Sequence, residues 1–403
     1  MNHPTAPLHA ALAAADQDQI IYDLAGIAGN LDTLRRELPG ADVRFAVKAC
    51  PVDAVVACLA ERGAGADAAG PREIAQALRS GVPVERIHYG NTVKSDEDIA
   101  AAYRLGVRDF ATDSLADVAA LAAHAPGARV FCRLATDGEG ALWGLSGKFG
   151  CSAADAVRVL AAARAAGLTP SGLSFHVGSQ QMTAGAWRRA LDLAAGTLAA
   201  LRRRGISLAH VNLGGGLPAL GYADRHGRPL DPPVDKIFAV LREGMAQLGE
   251  AAGRPLDFLV EPGRYLVADH GAIRAHVVRL TDREHPDGTR RHWLYLSVGK
   301  FNGLYEMDQV QYRLVFPGHR GAARVPAVVA GPTCDSDDAF TTAGGPVQVP
   351  GTLASGDPVW VLSSGAYAIS YLTRGFNGFR PLPHTWIHGP ARPAPARREA
   401  PGG

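Results

Sequence analysis

Between about residues 43 and 263, short apolar or β-branched segments alternate with Ala-rich helical stretches, with a turn between each pair. Eight segments read as strands: VRFAVKA (43–49), AGADAAG (64–70), RIHYGN (86–91), RDFATDS (108–114), RVFCRL (129–134), SFHVGS (174–179), HVNLGGG (210–216) and DFLVEPG (257–263). The second is rich in Ala and Gly and weak by β-propensity; the spacing alone places it. The stretches between them carry helix signals. Pro71 suits a first turn, Glu73 follows it, and Gly81 marks a stop. Ser95 with Asp98, and Ser114 with Asp117, have capping-box spacing with Asp replacing the usual Glu. Ile74 and Leu78 share a helix face. Strand–helix alternation repeated eight times predicts a parallel (β/α)8 TIM-like barrel over residues 26–264. A doubly wound open sheet is the second architecture the pattern allows.

Beyond about residue 265 the period changes. AIRAHVVRL, HWLYLSV, ARVPAVVA and DPVWVLSS alternate apolar with polar positions and are broken by Gly, Pro and Asp, as antiparallel strands are. A C-terminal all-β domain, a sandwich or barrel, is expected over 265–388. Residues 1–25 are expected to dock on it. The tail GPARPAPARREAPGG (389–403) has nothing to bury and reads as disordered.

Composition excludes several classes. The 403 residues are 47% hydrophobic and carry 41 Lys+Arg against 39 Asp+Glu, a net charge of +2. A chain of this length buries about three-quarters of its unfolded surface. Its charge is too balanced for a nucleic-acid or membrane-surface protein. No apolar run reaches the ~18 residues of a transmembrane helix. The opening MNHPTAPLHAALAAADQDQI lacks the basic start and apolar stretch of a signal peptide. Five cysteines (50, 58, 132, 151, 334) are odd in number and lack CxxC spacing. Neither a disulfide framework nor a zinc site is expected, no metal is predicted, and a reducing cytoplasm fits. Only five of the 41 basic residues are lysines: Lys48, Lys94, Lys148, Lys236 and Lys300. Each retained lysine therefore invites a chemical reason.

Barrel enzymes build their sites at the C-terminal strand ends. Those ends carry Lys48, Asp67, Asn91, Asp113, Arg133, His176 with Ser179, Gly214–Gly216, and Glu261 with Arg264. Lys48 is either a lysine snorkelling to the rim or an amine poised to form a Schiff base. Gly214, Gly215 and Gly216 make either a flexible turn or a loop whose N–H groups approach a phosphate. They are not a dinucleotide fingerprint, since Leu217, Pro218 and Ala219 follow, and GLSGKFG around Lys148 is not a P-loop. Glu261 and Arg264 form either a rim ion pair of little worth or a split pair, the acid for a ring nitrogen and the base for a phosphate. His176 is either a core histidine or a ring that stacks on a cofactor. In GPTCDSDD, Cys334 beside Asp335 is either a small buried thiol and a turn residue or a thiol acid with a carboxylate for a cationic substrate. Tyr367 in SSGAYAISY is otherwise an ordinary strand aromatic.

Taken together, FAVKAC, SFHVGSQ, LGGGLP, EPGRYLVA, GPTCDSDD and GAYAISY followed by FNGF resemble, in order and spacing, the fold-type III pyridoxal-phosphate decarboxylases. Within this ornithine/diaminopimelate/arginine decarboxylase group the ornithine branch is nearest. The likeness runs from about residue 20 to 390. It implies an alanine racemase-like barrel with a C-terminal β-domain, pyridoxal 5'-phosphate as cofactor, and an amino-acid substrate, basic in character, losing its carboxylate. Lys48 would hold the cofactor, Glu261 would face the pyridine nitrogen, and His176 would stack on the ring. Gly214, Gly215, Gly216, Ser179, Arg264 and Tyr367 would surround the phosphate, with Asp67 and Arg133 supporting cofactor and lysine. Cys334 would protonate Cα across a homodimer interface, Asp335 and Phe376 would help form the substrate pocket, and Lys148 would make an intersubunit ion pair.

The sequence departs from that branch at two places. Its bacterial members typically carry Asp where this chain has Ser297, and a smaller residue where it has Gln180. The Asp grips the distal amine of ornithine. Ornithine, lysine, an analogue, or an amino acid of a secondary-metabolite pathway all stay open as substrates. A pyridoxal-phosphate racemase and a non-catalytic decarboxylase-like regulatory protein are the alternatives. The first usually lacks a Cys-Asp pair like this one, and the second tends to lose cofactor residues.

Overall fold

The computed structural model describes residues 4–286, 288–340 and 345–388. The expected tail 389–403 lies outside them. Helix α1 (Ala6–Ala14) is capped by the Thr5 hydroxyl, and strand β1 (Gln19–Asp23) follows. The barrel strands are β2 (Ala41–Ala46), β3 (Gly65–Ala68), β4 (Ile87–Tyr89), β5 (Asp109–Thr112), β6 (Arg129–Arg133), β7 (Thr169–Ser174), β8 (His210–Asn212) and β9 (Asp257–Val260). All pair in parallel, and β7 closes onto β8 and β9 onto β2, so the sheet is a closed barrel and not an open doubly wound one.

Helices form between the strands because their caps and apolar faces agree. Ser95 and Ser114 accept from the backbone N–H of Asp98 and Asp117, as the spacing predicts, and Ser152 does the same for Asp155. Ile74 and Ala77 of Pro71–Arg79 are buried against the strands. The weak second segment is a strand, fully buried over Gly65–Ala68. The sixth segment is displaced. Only Ser174 of SFHVGS belongs to the barrel strand; residues 175–178 are the loop beyond, and the strand itself is the less apolar TPSGLS. A Cβ on Gly172 would lie 2.3 Å from the His210 ring, so a packing demand chose the small residue that weakens the strand signal.

The second domain is a mixed sheet of β10 (Gly271–Glu284), β11 (Arg290–Leu296), β12 (Arg324–Ala330), β13 (Val347–Pro350), β14 (Pro358–Val361) and β15 (His384–Ile387), edged by Leu314–Val315. The N-terminal strand β1 is inserted between β10, antiparallel, and β15, parallel. Leu8 and Leu12 of α1 are buried with Trp360 and Leu362 of this sheet. The two domains meet through backbone bonds: Tyr367 N–H donates to the Ala49 carbonyl at 2.7 Å and Gly365 N–H to that of Ala268 at 3.0 Å. Among the described residues no helix is long and apolar enough to cross a membrane.

Candidate functional site

After Ala46 the chain leaves β2 in a single 3-10 turn, Val47–Ala49, which lifts Lys48 off the strand into the barrel mouth. Its Nζ donates to Asp67 Oδ2, at the end of the neighbouring strand, at 2.6 Å. Solvent reaches 47% of the Lys48 side chain through the cavity, whereas that of Asp67 is 4% exposed. Burial alone would lower the Lys48 pKa, but Asp67, Glu261 and Tyr367 more than reverse it and hold the amine above its ordinary value. Burial likewise opposes ionisation of Asp67, yet Lys48 and His88 keep its carboxyl well below the usual carboxylate range.

Glu261 follows β9 and sits on the cavity wall. Asn212 donates to its Oε1, and His88 Nε2 lies 2.8 Å from the same oxygen. His176 accepts from Gly215 N–H at Nδ1, 3.3 Å. Its pKa falls to about 3, because burial and the nearby Arg133 and Lys48 charges disfavour a second ring proton. The ring is therefore neutral at physiological pH. Gly214 and Gly216 adopt φ of 70° and 100°. A Cβ at Gly214 would lie 1.9 Å from the Phe175 carbonyl oxygen, and one at Gly216 2.4 Å from that of Gly178. Only glycine lets this loop turn so closely under the mouth.

Ser179, Arg264 and Tyr367 meet beside that loop. The Arg264 guanidinium donates to the Ser179 hydroxyl at 3.1 and 3.3 Å and lies 4.7 Å from the Tyr367 ring centroid. It also forks onto both carboxylate oxygens of Glu306, each at 2.6 Å, with both side chains buried. This ion pair spans the barrel and the β-domain. Its partner Glu306 and the bridging His88 are the residues that sequence reasoning missed. His88 left one available signal, an ionisable residue at the middle of a buried three-residue strand.

Lys48, Asp67, Arg133, His176 and Glu261 line one cavity of about 260 Å³, with Lys148 and Phe149 on its wall. Lys148 Nζ lies 4.8 Å from the Phe149 ring. Other expected site residues stand apart. Cys334 is exposed, its N–H donating to Asn377 Oδ1 and its sulfur accepting from Asn377 Nδ2. Phe376 is 38% exposed and packs on Phe301. Asp335 accepts from the Asp337 N–H. None of these three lines the cavity. Ser297 does not either: its hydroxyl accepts from the His276 N–H within the sheet. Gln180, whose size drew attention, is buried and holds Ala219 through both ends of its amide, so it braces the glycine loop and does not face the cavity.

The pyridoxal-binding domain of the pyridoxal-dependent decarboxylases matches residues 24–268. The lysine/ornithine decarboxylase of Selenomonas ruminantium is 30% identical over 371 residues, covering 89% of this chain and 87% of that one. The ornithine decarboxylase of Schizosaccharomyces pombe is 26% identical over 378 residues, 91% and 82% of the two chains. Among solved structures, the lysine/ornithine decarboxylase of Vibrio vulnificus complexed with cadaverine superposes with a TM-score of 0.82 at 26% identity, over 96% of this chain and 100% of that one.

Proposed function

The chain belongs to the pyridoxal-dependent decarboxylase family, and we propose that it decarboxylates a basic amino acid, ornithine, lysine or an analogue, in a site shared between two subunits. The observation that carries the reading is Lys48 held 2.6 Å from Asp67 inside a barrel-mouth cavity that Glu261 also lines.

The residues fit pyridoxal phosphate. A primary amine stands between two carboxylates, a neutral imidazole faces the same cavity, and a glycine cradle with Ser179 and Arg264 lies beside it. Bound there, the cofactor supplies an electron sink for the pair released when the Cα carboxylate leaves as CO₂. Lys48 would hold the cofactor through its amine, which Asp67 orients in the mouth. Glu261 would serve the ring nitrogen and favour its protonated form. His176, uncharged, would stack on the ring. Gly214, Gly215, Gly216, Ser179, Arg264 and Tyr367 would hold the phosphate, and Arg133 lines the wall. Orienting the substrate so that its Cα carboxylate is the group released would favour CO₂ loss over racemisation.

Cys334 and Asp335 lie outside the cavity of their own chain. In a homodimer they complete the partner's site, the thiol returning a proton to Cα and the carboxylate meeting the distal cation, beside Phe376. With Ser297 tied to the His276 backbone, Asp335 is the carboxylate assigned to that cation.

The test is CO₂ release across a panel of L- and D-amino acids. Release from a basic L-amino acid, with the matching amine as product, supports the reading. Interconversion of enantiomers without CO₂ would favour a racemase. The absence of any turnover by cofactor-loaded protein would favour a regulatory one. If ornithine far exceeds every other substrate, Ser297 does not weaken the grip on its distal amine.

A further inference from the structure

TIM-like barrels usually fill their interior with branched apolar side chains. This one places a histidine there. His88, at the centre of β4, is 1% exposed. Its Nε2 lies 2.8 Å from Glu261 Oε1 and 3.2 Å from Asp67 Oδ1, so one ring nitrogen meets both carboxylates that flank Lys48. Its Nδ1 lies 3.4 Å from Arg44 Nη1. A guanidinium can only donate and an ionised carboxylate can only accept. Arg44 therefore places the proton of a neutral ring on Nε2, and a charged ring carries one there as well.

The carboxylates are thereby divided. Asp67 gives Oδ1 to His88 and Oδ2 to Lys48. Glu261 has both Asn212 and His88 against Oε1, which leaves Oε2 for the cavity. Below, Arg44 and His88 line a second cavity of about 310 Å³ at the opposite barrel mouth, with Asp109, Arg129 and His210. The charged and titratable groups facing His88 are thus Arg44 from β2, Asp67 from β3, Glu261 beyond β9 and, farther off, Asp109 and His210.

We infer that His88 is a positioning residue for the decarboxylation: through one N–H it fixes the inner oxygens of Glu261 and Asp67, so that their outer oxygens face ring nitrogen and lysine. This rests on the reading of the site as a pyridoxal-phosphate decarboxylase. Removing that N–H leaves both carboxylates freer and the site more negative. Protonation of a nearby chromophore becomes easier, and the outer oxygens lose their fixed direction.

The experiment compares wild type with His88→Leu, His88→Gln and Arg44→Met, each loaded with pyridoxal phosphate. Loading is verified by the visible band, and the band is then titrated with pH. His88→Leu is expected to keep the band, move its pH midpoint upward by roughly one unit, and lower kcat by ~10-fold or more with KM within about twofold. His88→Gln, which keeps a donor, should recover most of both. Arg44→Met should move the midpoint in the same direction by less. If His88→Leu titrates and turns over like wild type, the inference falls. Should that variant not fold, an unmoved midpoint in Arg44→Met overturns it instead. A wild type with neither band nor CO₂ release would sink the underlying reading, a result separate from either.

Discussion

The barrel mouth and the exposed patch around Cys334 are built on opposite plans. In the mouth, the central charged side chains are held by groups from other strands: Lys48 by Asp67 of the adjacent strand, and Glu261 by Asn212 of the adjacent strand and His88 from across the barrel. In the patch, Cys334, Asp335 and Asn377 are held through backbone amides and each other, and Cys334 stays open to solvent. The first arrangement is finished within one chain. The second leaves its thiol-bearing residue exposed, as the proposed shared site requires.

The largest test of this contrast is Lys48→Ala. Turnover should fall by roughly 10⁴-fold or more, and the visible band, near ~420 nm for a lysine-bound cofactor, should vanish. Residual turnover close to wild type would mean that the mouth is not where the chemistry happens. Next comes Glu306→Ala, which strands a buried guanidinium. Chemical denaturation of the apo-protein should report a loss of about 3–5 kcal/mol, and saturating cofactor should recover part of it, because its phosphate offers Arg264 another anion. The outward patch should behave differently. Cys334→Ala should lower turnover by about 10²-fold or divert the product, with the band and the melting temperature unchanged. Mixing it with Lys48→Ala and letting subunits exchange should restore activity in heterodimers, where one complete site survives. Absence of that recovery would argue against a shared site.

The smallest effect concerns pH. The folded chain keeps His176 neutral down to about pH 3, whereas an unfolded chain protonates it below ~6.5. The unfolded state then binds more protons, so this stability, fully present above ~6.5, drains away as the pH falls. His88 works in the opposite sense, since its pKa is raised: burial opposes this, but Asp67 and Glu261 prevail. His176→Phe isolates the first contribution. Between pH 7 and pH 5 its apo-form should lose roughly 2–4 °C less in melting temperature than wild type. A variant of the exposed patch should show no such difference.

What the sequence disclosed follows the same division. The strand–helix period and the cap residues specify a barrel because local signals and global fold agree there. The sixth strand escaped because Gly172 answers to the His210 ring, a neighbour 38 residues along the chain. Lys48, Asp67, Glu261 and His176 were legible as polar residues ending apolar strands, and the structure gathers them in one cavity. Glu306 was not, since its partner Arg264 lies in the other domain and no spacing rule links them. His88 hid inside IHY, where one imidazole reads as an ordinary strand residue. Gln180 drew a specificity argument that its two bonds to Ala219 remove. Cys334 could be read as reactive, but its place outside the cavity of its own chain was not legible.

The bond from Tyr367 N–H to the carbonyl of Ala49 ties the two domains at the mouth. Ala49 adjoins Lys48, and Tyr367 belongs to the β-sheet domain. With the Arg264–Glu306 pair it makes the ligand-binding turn of one domain an anchor of the other. Cofactor occupancy is then a property of the whole chain. A ligand at 100 times its dissociation constant adds about 2.7 kcal/mol to the fold that binds it, and here both domains share that gain. Removing the cofactor should therefore lower the unfolding temperature of sheet and barrel together.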